Sequence, residues 1–213
     1  MFKDRKEAGE KLAQALVKYK NAPETIVLAL PRGGVVVGFE VARALRLPLD
    51  IVVPRKIGAP GNPEYAIGAI TETGDAMMND EEVRQVDKEW LKQEMEKEKK
   101  EAERRLTAYR AGSPPRIEGK TVIIVDDGMA TGYTMRAAVA SVRARKAAKI
   151  IVAIPHGAGD SIEQIRREVD EVAALEIPAV YFAVGAHYEE FPQISDAEVI
   201  SLLRASQTIE SPK

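Results

Sequence analysis

The stretch TVIIVDDGMATGYT, residues 121–134, does most to decide the fold of this chain. Residues 121–125 are β-branched or apolar and show no alternation with polar residues, which is typical of a strand buried on both faces of a parallel sheet. Two carboxylates, Asp126 and Asp127, follow directly, and small and hydroxyl residues come next. Because residues 134–147 have the composition of a helix, the stretch predicts a strand, a loop and a helix in that order.

A loop between a strand and a helix N-terminus favours anion binding, because backbone N–H groups and the positive end of the helix dipole meet there. The residues expected to surround the anion are Gly128, Met129, Ala130, Thr131, Gly132, Tyr133 and Thr134. The two aspartates would lie one step earlier, at the carboxyl end of the strand. A ligand bound here should therefore carry a phosphate together with groups that bind carboxylates, such as sugar hydroxyls or a divalent metal.

This stretch resembles the signature of the type I phosphoribosyltransferases: an apolar strand, two acidic residues, small residues, Thr-Gly and a hydroxyl residue. The resemblance implies that the 128–134 loop binds the 5′-phosphate of phosphoribosyl pyrophosphate (PRPP). It also implies that Asp126 and Asp127 bind the ribose 2′- and 3′-hydroxyls, and that Mg²⁺ binds mainly through PRPP, without a dedicated protein site. The alternative is that the two acidic residues only cap a helix.

Composition excludes several classes of protein. The chain has 213 residues, of which 45% are hydrophobic, enough for the core of one sizeable domain. Its net charge of −2 provides no positive field to attract nucleic acid, and the absence of cysteine excludes disulfides and thiol chemistry. No stretch is typical of a signal peptide or a membrane span, so we expect a cytoplasmic protein without membrane contact.

Helical and extended segments alternate along most of the chain. The pattern predicts helices at 3–20, 33–46, 134–147, 160–169 and 196–205, and strands at 25–30, 49–53, 121–125, 149–154 and 179–184. This alternation predicts an α/β fold, a three-layer structure with a parallel sheet flanked by helices, as in the type I phosphoribosyltransferases. Such sheets bind ligands beyond the carboxyl ends of their strands. We expect residues 1–213 to form a single domain.

Residues 55–115 interrupt this pattern and are interpreted as an insertion. Its first part, 55–66, is rich in glycine and proline and predicts a flexible loop that could close over a ligand. A small hairpin is expected from 66–70 and 76–78, and a long charged helix from 80–110, ended by Gly112–Pro115. The insertion would shape a hood over the sheet or a homodimer contact, and residues 185–213 would form a C-terminal hood or tail.

A second strand–loop–helix motif is Leu30-Pro31-Arg32-Gly33-Gly34. Two glycines allow the backbone to approach an anion closely, and the Arg32 guanidinium can donate to two phosphate oxygens. In the resembled family the loop after the first core strand binds the pyrophosphate of PRPP, which implies this role for Arg32, Gly33 and Gly34. A tight turn with an arginine in solvent is the alternative.

Arg55 and Lys56 directly follow the 49–53 strand. Many enzymes of the resembled family place basic residues here that reach the pyrophosphate, sometimes across a dimer interface. A solvated basic pair in a surface loop is an equally good interpretation.

His156 and the C-terminal aromatic residues are further candidates. His156 is expected in a glycine loop after the 149–154 strand, where it could contact the leaving group or the acceptor or act as an acid or base. A hydrogen-bonding role without catalysis is the commoner one for such a histidine. Tyr188 or Phe191 could stack on a planar ring, although packing against the sheet is the more usual fate of aromatic residues.

The resemblance implies a Mg²⁺-dependent enzyme that moves the phosphoribosyl group of PRPP to a small, planar, nucleobase-like acceptor and releases pyrophosphate. Asp126, Asp127, Arg32 and Lys56 are the residues expected to act in catalysis. The main alternative is a regulatory protein that senses PRPP or nucleotides with the same fold and no catalysis. A phosphohydrolase with an aspartate nucleophile is disfavoured, because the sequence offers no convincing additional metal-ligating acid near another strand end.

Overall fold

The structure is a computed structural model that describes residues 1–110 and 114–208, without the side chain of Glu64. The helices are α1 (Arg5–Ala15), α2 (Gly33–Leu45), α3 (Asp80–Val83), α4 (Lys88–Tyr109), α5 (Tyr133–Ala144), α6 (Gly159–Arg166) and α7 (Asp196–Ser206). The strands are β1 (Thr25–Ala29), β2 (Leu49–Ile51), β3 (Arg55–Ala59), β4 (Asn62–Ile70), β5 (Ala76–Met78), β6 (Thr121–Val125), β7 (Lys149–His156) and β8 (Glu171–Glu176). Short 3-10 helices occupy Val17–Tyr19 and Val184–His187.

A parallel sheet forms the centre of the fold, with the strand order β2-β1-β6-β7-β8. In this sheet Ala29 is paired with both Ile51 and Val125, and Val125 is in turn paired with Ala153. The carboxyl ends of β2, β1 and β6 are therefore level, and their loops begin at one edge, while β7 continues past that level to His156. The predicted α/β fold, with a parallel sheet flanked by helices, is confirmed.

The residues of β6 contribute alternately to two cores, one on each face of the sheet. Val122 and Ile124 pack among side chains of α5 and α6, whereas Ile123 and Val125 pack among side chains of α1 and α2. All four have no exposed surface. This double burial is the physical reason for the continuous apolar run in the sequence, since neither face of the strand meets water.

The insertion forms a second, antiparallel sheet with the order β3-β4-β5. Ile57, Ile67 and Ile70 form its core, covered by apolar side chains of α4 that include Trp90 and Met95. The β4–β5 turn lies against α5, where the Thr73 and Ser141 hydroxyl oxygens are 3.2 Å apart. The insertion thus rests on the helix that follows the 128–134 loop.

Three predictions about secondary structure are wrong. Residues 55–66, expected as a loop, form β3 and the first part of β4, because Pro60-Gly61 makes a tight hairpin turn. The last strand of the parallel sheet is Glu171–Glu176 rather than 179–184. The long helix begins at Lys88 after a separate short helix, Asp80–Val83, whose capping residue is Asn79.

The small hairpin of β4 and β5 around Thr73-Gly74 is confirmed. The expected end of the long helix at 112–115 lies partly outside the described residues, which resume at 114. In the described part of the chain, no helix combines the length and apolar character needed to cross a membrane.

Candidate active site

Two loops meet at the carboxyl edge of the parallel sheet. The loop after β1 is tied to β6, because the Leu30 N–H donates to the Val125 carbonyl oxygen at 2.9 Å. The loop after β6 is tied to β7, because the Met129 N–H donates to the His156 carbonyl oxygen at 3.1 Å. The sheet register therefore brings both strand–loop–helix motifs of the sequence to one place.

The Gly33-Gly34 backbone lies directly against the two aspartates. A Cβ atom at Gly33 would overlap the Oδ2 atom of Asp127, and one at Gly34 would lie 2.7 Å from the Oδ1 atom of Asp126. Only glycine fits without movement at such separations. The Pro31–Arg32 peptide bond just before this contact is cis.

The two carboxylates have different surroundings. The Asp127 N–H donates to the Asp126 Oδ1 atom at 2.8 Å, and Arg5 donates from Nε to the Asp127 Oδ2 atom at 2.7 Å. Burial raises the pKa of the Asp126 carboxyl well above its usual range, and the neighbouring charge of Asp127 raises it further. The pair therefore combines a carboxyl that tends to keep its proton with a carboxylate held by a guanidinium.

The 128–134 loop is open at its tip. Ala130 and Thr131 are exposed, and the Ala130 carbonyl accepts a hydrogen bond from the Ser161 hydroxyl at 2.6 Å. Gly132 has φ of 78° and forms the N-cap of α5 without a side-chain hydrogen bond to the first turn. Tyr133 and Thr134, the first residues of α5, are partly exposed. Because no side chain caps this helix end, its N–H groups and dipole can act on an anion.

Arg32 is half-buried beside the glycines, and its Nη1 atom lies 3.4 Å from the Asp196 Oδ1 atom at the start of α7. The same Oδ1 atom accepts a hydrogen bond from the Tyr109 hydroxyl at 2.7 Å. The Arg32 guanidinium thus faces the Asp196 carboxylate. Through Tyr109, this carboxylate also links the C-terminal end of α4 to α7.

His156 ends β7 rather than lying in a loop, and its side chain has no exposed surface. It packs among Phe2, Tyr181, His187 and Tyr188, and its Nδ1 atom lies 2.9 Å from the Tyr181 hydroxyl. Burial lowers the pKa of His156 to about 4, and the charge of His187 acts in the same direction. A neutral imidazole closed off from solvent is poorly placed to exchange protons with a ligand, but its ring lies against Gly128 and shapes the loop.

Arg55 and Lys56 do not lie in a loop, because both belong to β3. Successive side chains of a strand point to opposite faces, so the two cations cannot act from the same side. The Arg55 Nε atom forms an ion pair with the Glu98 Oε2 atom of α4 at 2.8 Å. The structure therefore directs Arg55 toward the insertion helix.

Tyr188 and Phe191, considered as stacking residues, both contact the acidic loop or its partners. Tyr188 is buried, and its hydroxyl donates to the Asp127 carbonyl oxygen at 2.6 Å. The Phe191 ring lies 3.7 Å from the Arg5 guanidinium carbon. Tyr188 therefore packs in the core, which is the more usual of its two expected roles.

Sequence reasoning missed Arg5, which carries the ion pair to Asp127. A signal was present, because Arg5 shares one face of α1 with the buried residues Ala8, Gly9 and Leu12. A cation on an otherwise apolar helix face indicates a buried anionic partner elsewhere in the chain. The sequence could not indicate which of the 33 acidic residues that partner is.

Comparison with known proteins agrees with this geometry. The family model described as the phosphoribosyl transferase domain matches residues 2–190. Two proteins are 43% identical to this chain over 206 residues. They come from two strains of Mycobacterium tuberculosis and are provisionally named phosphoribosyl transferases. These matches cover 95% of this chain but 46% of the relatives, so the chain spans about half of their length.

Two further similarities concern a solved structure and a shorter segment. A crystal structure of a Thermus thermophilus protein superposes with a TM-score of 0.79 at 39% identity, covering 95% of this chain and 97% of that one. A ribose-phosphate pyrophosphokinase from Thermococcus kodakarensis is 46% identical over 59 residues, which is 27% of this chain and 21% of that protein. The parallel sheet, the acidic pair beside a glycine loop and the match over residues 2–190 together make this chain a member of the phosphoribosyl transferase family.

Proposed function

We propose that this chain transfers the phosphoribosyl group of PRPP to a small, planar, nucleobase-like acceptor and releases pyrophosphate. The observation that carries the proposal is the contact of Gly33 and Gly34 with Asp127 and Asp126. It brings a candidate pyrophosphate loop against a candidate ribose site, and the ribose site continues into an open helix N-terminus. PRPP carries its pyrophosphate, ribose hydroxyls and 5′-phosphate in a matching order.

Each part of PRPP then has a partner. The 128–134 loop and the first turn of α5 bind the 5′-phosphate, and Asp126 and Asp127 accept hydrogen bonds from the ribose hydroxyls. Arg32 and the Gly33-Gly34 backbone bind the pyrophosphate. Negative charge grows on the pyrophosphate as its bond to the ribose breaks, so a fixed guanidinium at this point stabilises the transition state more than the ground state.

The residues present fit a magnesium ion that arrives with its own phosphate ligands. The described residues hold no group of three or more acidic or histidine side chains that could form a protein metal site. At the candidate site, Asp127 is already paired with Arg5. Mg²⁺ retains waters readily and binds through phosphate oxygens, where it would neutralise charge on the leaving pyrophosphate.

A surface for the planar acceptor is offered by the segment between β8 and the second 3-10 helix. Phe182 is 86% exposed there, and the adjacent Tyr181 is held by His156. An exposed aromatic ring is suited to stacking on a flat heterocycle. Lys56 remains a proposed contact to the pyrophosphate, and a homodimer remains a proposal that light scattering would test.

The test is to incubate the protein with PRPP and Mg²⁺ and a panel of purine and pyrimidine bases, and to measure pyrophosphate release. We expect release with at least one base and its loss in the Asp127→Asn variant, which preserves shape but removes the charge. Binding of PRPP without turnover for any base would favour the regulatory alternative. Absence of PRPP binding in calorimetry would refute the proposal as a whole.

A further inference from the structure

Arg5 is a buried cation that reaches the candidate site from α1, far from it in sequence. Its residue is 7% exposed, and its guanidinium has three contacts of different kinds. Nε donates to the Asp127 Oδ2 atom at 2.7 Å, Nη1 donates to the Pro192 carbonyl oxygen at 2.7 Å, and the plane lies over the Phe191 ring. These contacts fix the guanidinium from three directions.

Arg5 lies against the glycine loop as well as against Asp127. Its Nε atom lies 2.8 Å from where a Cβ atom at Gly33 would be, so Arg5, Asp127 and the glycine loop meet at one point. Arg5, Arg32 and Gly33 line the same surface pocket of about 380 Å³, which is closed on its other side by residues 191–194.

Stability alone is a weak reason for such a pair. Desolvation of two charges offsets much of their attraction, so a buried ion pair often contributes little net free energy of folding. What a buried pair does provide is a fixed orientation. A carboxylate held at one oxygen by a guanidinium cannot rotate freely. The entropic cost of ordering this side chain is then met before a ligand binds, and the ligand does not have to meet it.

We propose that Arg5 is a positioning residue, which holds the Asp127 carboxylate by Oδ2 so that its other oxygen accepts a hydrogen bond from a ribose hydroxyl. This inference rests on the proposed function, because it assigns the ribose to Asp127. Arg5 acts through Asp127 and does not contact the sugar. Its contribution should therefore appear only with ligands that carry the ribose hydroxyls.

The chain offers a matched control in Arg110. The Arg110 Nε atom donates to the Asp50 Oδ1 atom at 3.0 Å, and Nη2 donates to the Ile51 carbonyl oxygen at 2.9 Å. The side chains of this pair are 10% and 14% exposed, against 8% and 14% for Arg5 and Asp127. Both arginines thus bind one aspartate and one carbonyl at similar burial, but the contacts described for Arg110 are with Asp50 and Ile51 rather than with either candidate loop.

The experiment measures the affinity of ribose 5-phosphate and of 2,3-dideoxyribose 5-phosphate by calorimetry. We expect Arg5→Met to weaken ribose 5-phosphate about tenfold, since it removes a charged hydrogen-bond partner of the carboxylate, and to leave the dideoxy ligand unchanged. Arg5→Lys should recover part of the loss. Arg110→Met should lower the melting temperature comparably and leave both affinities unchanged. Combining Arg5→Met with Asp127→Asn should cost less than the sum of the two single losses.

Two results would overturn the inference. Equal weakening of both ligands by Arg5→Met would show that Arg5 only supports the fold. Unchanged affinity for ribose 5-phosphate in Arg5→Met would show that Asp127 needs no positioning. Should the Met variant fail to fold, Arg5→Gln, which also removes the charge, is measured by the same criterion. Failure of the unsubstituted protein to bind either ribose 5-phosphate or PRPP would instead refute the proposed function, and the unsubstituted protein alone reveals this.

Discussion

Gly34 lies so close to Asp126 that a Cβ atom on the glycine would be 2.7 Å from the carboxylate oxygen and 2.9 Å from the Asp126 Cα atom. The second of these neighbours is backbone and cannot move independently of β6. The two strand–loop–helix motifs are therefore in direct backbone contact, and the geometry of one constrains the other.

Gly34→Ala should separate the two loops. The methyl group would displace Asp126 or shift α2. We expect PRPP affinity to fall about tenfold or more, and the free energy of unfolding to fall by about 1–3 kcal/mol because of overpacking. Calorimetric titration and urea denaturation measure the two effects. Gly159→Ala is the control, because its nearest neighbour would be 3.7 Å away, and an equal loss in that variant would contradict the prediction.

Arg32→Met should slow phosphoribosyl transfer about 100- to 1,000-fold, because it removes a fixed donor from the leaving pyrophosphate. Kinetics over a range of PRPP concentrations up to saturation would check this, because they separate kcat from KM. If only KM rises, Arg32 contributes to ground-state binding and the assignment to the transition state is wrong.

Asp196→Asn should strengthen the binding of inorganic pyrophosphate about two- to fivefold. Asp196 lies 3.4 Å from the Arg32 guanidinium, so an anion must compete with it for the same donors. Both side chains are partly exposed, which keeps the effect small. Titration calorimetry at low ionic strength measures it, and weaker binding in this variant would argue against competition.

Because of Asp126, the free energy of unfolding should fall as pH rises. Burial and the charge of Asp127 raise the pKa of the Asp126 carboxyl above 3.8, and the charge of Arg5 opposes them in part. The folded protein then holds a proton that the unfolded chain has lost, so the free energy of unfolding falls as pH rises above about 4. Asp126→Asn should lack this decline in urea denaturation between pH 4 and 8 (a range set by the ordinary carboxyl pKa of about 4).

His156 should have the opposite effect, so that the free energy of unfolding falls as pH falls. Its pKa is lowered to about 4 from 6.5, so the unfolded chain binds a proton first as pH falls through this interval. The free energy of unfolding should therefore decrease by up to about 3 kcal/mol between pH 6.5 and 4. His156→Gln removes the titrating group, and a variant that keeps the full pH dependence would place its origin elsewhere.

The sequence predicts the parallel sheet well because β6 is buried on both faces. Residues such as Ile123 and Ile124 have no contact with water, and their unbroken apolar pattern follows from that burial. The edge strand β8 is different, since every residue from Glu171 to Glu176 is partly exposed. Its sequence EVAALE accordingly looks less like a strand than AVYFAV at 179–184, where Val180 and Phe182 are in fact exposed.

The candidate site is predictable where one local motif contains it and not where distant segments meet. Residues 126–134 carry their strand, acids and loop in one stretch, so their arrangement follows from the sequence. Arg5 reaches Asp127 across 122 positions, and nothing local to either residue indicates the pairing. The glycines and prolines of 55–66 indicate a turn correctly, but the pairing of β3 with β4 depends on the core that Ile57 and Ile67 form with α4.

The packing of the antiparallel sheet against α5 limits which segments can be exchanged between relatives. The β4–β5 turn approaches the face of α5 that carries the small residues Ala137 and Ser141, and the Thr73 hydroxyl is within hydrogen-bond distance of Ser141. Bulkier residues on that face would change the orientation of the antiparallel sheet relative to α5. They would also disturb the first turn of α5, which lies beside Thr131. Replacing residues 55–110 by the corresponding segment of a relative should therefore succeed only when the α5 face that it meets carries equally small side chains.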